Sequence, residues 1–84
     1  MNALNERRSI QLLNEADSLY TEMLSIQSQV NKLIKTLIEK NKAMSTVRRR
    51  MLYSQITLCQ ETMQSIRSEI RILQQEAYAI NDTE

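Results

Sequence analysis

The sequence predicts an all-α fold, an antiparallel two-helix coiled-coil hairpin completed by dimerisation or by a partner protein. Three observations predict it. The 84 residues include no Gly and no Pro, so the chain lacks the residues that tight β-turns require. Apolar residues recur at alternating steps of three and four through both halves, the a/d spacing of a coiled-coil seam. The phase of that repeat breaks once, close to the midpoint.

The first helix is expected over about residues 6–40. Its seam is Leu12, Ala16, Leu19, Met23, Ile26, Val30, Leu33 and Leu37, and the intervening residues are mostly good helix formers. The second is expected over about 47–80, with the seam Leu52, Ile56, Cys59, Met63, Ile66, Ile70, Leu73, Ala77 and Ile80. Extending the first seam places Lys40 and Ser54 at apolar positions, so the phase shifts somewhere between about 40 and 52. The turn therefore falls at about 41–46. Asn41 suits a left-handed helix end, and Ser45 or Thr46 suits an N-cap.

Folding at that turn pairs residues whose numbers sum to 89, for example Leu12 with Ala77, Val30 with Cys59 and Leu37 with Leu52. The next layer sets Lys40 against Arg49, two like charges, and is expected to splay. The rival architecture is one unbroken helix of about 125 Å pairing antiparallel with a second chain. Cations in the first turn of the second helix oppose its dipole, which suits that rival or a binding role.

A single layer of side chains between two helices is a small core, and short chains of this kind need disulfides, metal or association to be stable. One cysteine and no histidine leave association. The expected partner-binding residues are Leu13, Tyr20, Leu24, Ile34 and Ile38 beside the first seam, with Met51, Leu58 and Ile72 along the second helix. They would complete a homodimeric four-helix bundle or dock the helices of another protein. Tyr53 and Tyr78 join Tyr20 at seam edges as interface candidates. Met23, Met44, Met51 and Met63 are read as core filler, and Cys59 as a buried small hydrophobe.

Charge is uneven along the chain. Residues 32–50 sum to +6, residues 1–31 to −2 and residues 51–84 to −3. A hairpin would thus carry a basic tip, formed by Lys40, Lys42, Arg48, Arg49 and Arg50, opposite an acidic open end. The tip suits phosphate, an anionic membrane or an acidic partner. It equally suits a solvated turn that aligns two hairpins head to tail. A dimeric four-helix nucleic-acid-binding protein is therefore the alternative function, and a structural coiled-coil subunit is the third.

Nothing in the sequence suggests catalysis. There is no Ser/His or Cys/His combination, no glycine loop for phosphate and no expected cofactor or metal. No apolar stretch is long enough to span a bilayer, and a lone free thiol fits a reducing compartment, so a soluble cytoplasmic location is expected.

The polar turn Glu39-Lys40-Asn41-Lys42, the segment Leu52-Tyr53-Ser54-Gln55 and the following Ile56, Leu58, Met63, Ile66 and Ile70 give a family resemblance. The stretch from Leu37 to Leu73 resembles the small helical-hairpin co-chaperones of bacterial type III secretion needles. That resemblance implies pairing with a larger helical-repeat chaperone to hold an aggregation-prone needle subunit monomeric before export. The three consecutive arginines and the long first helix depart from the family's pattern.

Overall fold

The computed structural model describes residues 3–82. Helix α1 runs Ala3–Lys40, a single 3-10 turn covers Asn41–Ala43, and helix α2 runs Thr46–Asp82. Both helices begin earlier than the periodicity alone places them, and they pack side by side along a rod of 62 × 14 × 12 Å.

The core is a single seam. Val30, Ile56 and Met63 are its buried centre, with Met23, Ile26, Leu33, Leu37 and Cys59 packed around them. Val30 thus lies level with Cys59, between Ile56 and Met63, as residues summing to 89 require. Val30 is 2% exposed and Ala77 is fully buried. The small side chain of Ala77 leaves room for Ser9, whose hydroxyl donates to the Ala77 carbonyl at 3.3 Å. Ser9 sits three residues before Leu12, one seam step earlier, and is only 3% exposed. Sequence reading stopped the seam at Leu12 because position 9 is polar. The hydrogen bond is what lets a serine occupy it.

The helix reversal differs from expectation in how α1 ends. No described residue has a positive φ, so Asn41 is not a left-handed cap. Instead α1 tightens into the 3-10 turn, a common way to close a helix end, and Met44 then leaves in extended backbone (φ −93°, ψ 135°). Of the two candidate N-caps, Ser45 is the one used. Its Oγ accepts from the Arg48 backbone N–H at 3.2 Å, and its carbonyl accepts from Arg49 N–H at 3.0 Å. Thr46 is the first helical residue.

At the layer of Lys40 and Arg49, Arg49 makes a specific contact. The Arg49 guanidinium reaches back across the turn, and its Nη2 donates to the Asn41 carbonyl at 2.8 Å. A helix ends with unpaired carbonyls at its negative pole, so a cation there satisfies an acceptor. Beneath it Met44 is buried, plugging the end of the seam, whereas Val47 and Met51 are exposed. Continuation of the first seam would have buried all three. The phase break in the sequence is thus a physical end of α1.

Candidate functional site: two outward apolar faces

The helices are amphipathic, yet their outward surfaces carry large apolar side chains. Leu24 is 50% exposed, Ile38 75% and Leu58 65%, and Tyr20, Ile34, Met51 and Ile72 are exposed as well. Leu13 is only half-buried by the seam. Of the four methionines read as core filler, Met23, Met44 and Met63 are buried or packed against the core, but Met51 faces out.

The heptad frame shows how these residues are arranged. With Ala16, Val30 and Leu37 at position a of α1, Leu13, Tyr20 and Ile34 fall at e, and Leu24 and Ile38 at b. With Ile56, Met63 and Ala77 at a in α2, Met51, Leu58 and Ile72 fall at c, on the g side. In an antiparallel pair the e edges of the two helices share one broad face and the g edges share the other. The surface hollows follow that division. One is lined by Leu13, Ala16, Asp17 and Tyr20 of α1 with Ile70 and Gln74 of α2. Another lies on the opposite face, lined by Gln29, Leu33 and Thr36 with Gln55, Leu58 and Cys59.

The structure therefore does not bring the two sets of expected partner-binding residues together. The α1 ridge of Leu13, Tyr20, Leu24, Ile34 and Ile38 occupies one face. The α2 stripe of Met51, Leu58 and Ile72 occupies the reverse. Tyr53 and Tyr78 stand on the ridge's side of α2, and both are exposed.

The tip is a mixed surface. Lys40, Lys42, Arg48 and Arg50 are exposed, and a hollow between Lys40, Ala43, Met44 and Arg48 opens there. Arg49 is committed within the chain: Nη2 caps Asn41, and its Nε is buried without a hydrogen-bond partner. Lys35 pairs with Glu39 along α1 at 3.9 Å, both exposed. That is an i,i+4 pair worth a few tenths of a kcal/mol, about 0.3. Glu84, counted in the acidic open end, lies outside the described residues.

Among the described residues no three His, Cys, Asp or Glu side chains gather where a metal ion could be held. Cys59 is a free thiol packed against the core. No described helix is long and apolar enough to cross a membrane. Comparison of the chain with protein-family models, with curated proteins and with solved structures finds no match.

Proposed function

We propose that this hairpin is a non-enzymatic protein-binding module, a small assembly factor or co-chaperone that buries its outward apolar faces against partner helices. The observation that supports this reading is the amount of surface a single-seam core leaves uncovered. The chain exposes 6580 Å², whereas a compact monomer of 9.9 kDa would expose about 5200 Å². The excess, about 1400 Å², exceeds one partner's share of a standard protein interface, about 800 Å². Exposed aliphatic and tyrosine side chains, among them Leu24, Ile38, Leu58 and Tyr20, recur at helical spacing, the pattern of a helix-in-groove contact. The type III needle co-chaperone resemblance supplies one specific form of this function, in which the partner is a helical-repeat chaperone and the client a needle subunit.

The test compares tagged wild-type chain with Leu24→Asp, Leu58→Asp and Ser68→Asp, each purified from the producing cell. The wild type and Ser68→Asp, a change at an exposed polar site, should carry the same co-eluting protein. At least one of the two leucine variants should lose it while keeping full helicity. If all four retain it equally, or none carries any partner, the apolar faces are not docking surfaces.

A further inference from the structure

The α1 ridge is a second seam, and its pattern specifies what covers it. Positions 10, 13, 17, 20, 24, 27, 31, 34 and 38 alternate in steps of three and four, as core seam positions do. Six are apolar: Ile10, Leu13, Tyr20, Leu24, Ile34 and Ile38. The other three are Asp17, Gln27 and Asn31, and Gln27 Nε2 already donates to Asn31 Oδ1 at 3.0 Å.

We propose that a second copy of this chain covers the ridge, its α1 running antiparallel to the first about a twofold axis, with residues facing each other when their numbers sum to 44. In that register Ile10 meets Ile34, Tyr20 meets Leu24 and Asp17 meets Gln27, each layer occurring twice. Leu13 against Asn31 and Ile38 against Glu6 are mixed. A shift of one heptad sets Ile34 against Asp17 and Leu24 against Gln27. The opposite shift pairs Leu13 with Leu24 but sets Ile10 against Gln27 and Tyr20 against Asp17, and it moves the axis to residue 18.5, which shortens the overlap. The favoured register puts the axis at residue 22, beside the midpoint of Ala3–Lys40, so the two α1 helices overlap along their whole length.

Charge selects the same arrangement. Full antiparallel overlap keeps the two tips, each from the segment summing to +6, at opposite ends of the pair and away from each other, each over the mate's open end with Glu6, Arg7 and Arg8. Between Tyr53 and Tyr78 the α2 residues on this face, Gln60, Gln64, Arg67, Arg71 and Gln74, are polar and exposed, so contact centres on α1 with a tyrosine toward each end. The α2 stripe is left on the outside of the pair, once per copy, for a different partner. This inference rests on the reading of the outward apolar faces as docking surfaces.

The purified full-length chain tests it. In a Cys59→Ser background, Ile10→Cys with Ile34→Cys places two thiols about 36 Å apart along one helix, so a disulfide between them must join two chains. Mild oxidation should give a covalent dimer much faster than the pair Ile10→Cys with Leu58→Cys, whose thiols lie on opposite faces. Light scattering should give the unmodified protein twice the chain mass. Leu24→Asp, with helicity retained, should weaken association by at least tenfold, and added salt should weaken it further. Single-chain mass for the unmodified protein, or equal cross-linking rates for the two cysteine pairs, overturns the pairing. If Leu58→Asp still abolishes partner binding in that event, the dimer fails alone. If neither face matters, the docking reading fails with it.

Discussion

Removing two methyl groups at Val30 tests the single-seam core where it is densest. Val30 is 2% exposed and belongs to the buried cluster with Ile56 and Met63. Val30→Ala forfeits about 1.6 kcal/mol of transfer free energy, at about 0.8 kcal/mol per methylene. The cavity left between two stiff helices adds to this, for a total loss of about 2–3 kcal/mol. For a chain of this size each kcal/mol moves the melting temperature by about 4–8 °C, so the midpoint should fall by about 10–20 °C. Circular dichroism at 222 nm reads the transition, at one protein concentration because association shifts melting by mass action. Lys35→Ala is the matched control, removing only the exposed contact to Glu39, and should shift the midpoint by no more than a few degrees, about 4 °C. Equal melting of Val30→Ala and Lys35→Ala would refute the assignment of Val30 to the centre of the core.

The tip supplies two further expectations, read by the same melts. Ser45→Ala removes the Oγ acceptor from the Arg48 N–H and should cost about 1 kcal/mol. Arg49→Ala removes the charged donor to Asn41, worth about 1.5–3 kcal/mol, less about 0.3–1 kcal/mol regained by taking a cation out of the first turn of α2. Net destabilisation should follow. Arg48→Ala, which loses only the unfavourable dipole interaction, should be neutral or slightly stabilising. The reverse order of the two arginine variants would show that the contact to Asn41 contributes nothing.

Most of the hairpin was legible because a coiled-coil seam is a strictly local code. Eight positions in the first half and nine in the second carried it, and every one is buried or partly buried in the structure. The break was legible too, since Lys40 and Ser54 fall where a continued seam would require apolar residues. What escaped the sequence depended on groups that meet only after folding. Ser9 is polar, and its fitness for the seam comes from the Ala77 carbonyl on the other helix. The partner of Arg49 is equally non-local, because a charge count takes no account of the backbone carbonyl that Asn41 presents at the end of α1. Asn41 itself needed no left-handed backbone once the 3-10 turn closed the helix.

The candidate surfaces were found residue by residue, yet their division between two faces was not. Spacing alone gives each residue's angle about its own helix. Which edges share a face depends on the antiparallel arrangement of the pair, and the hollow joining Leu13 and Tyr20 to Ile70 makes that visible. The consequence is functional. One apolar ridge and one apolar stripe lie back to back on a rod 12–14 Å thick, so the docking function proposed above would accommodate two partners at once.

The most direct test is the distance between spin labels at Asn14 and Gln75 within one molecule, measured after dilution into excess unlabelled chain. Both sites are exposed and lie level with each other on the outer surfaces of α1 and α2. Doubling back at Met44 predicts backbone positions within about 20 Å, two helix widths. A separation near 90 Å, the length of 61 helical residues at 1.5 Å each, would mean a continuous helix, and with it the loss of both faces as drawn.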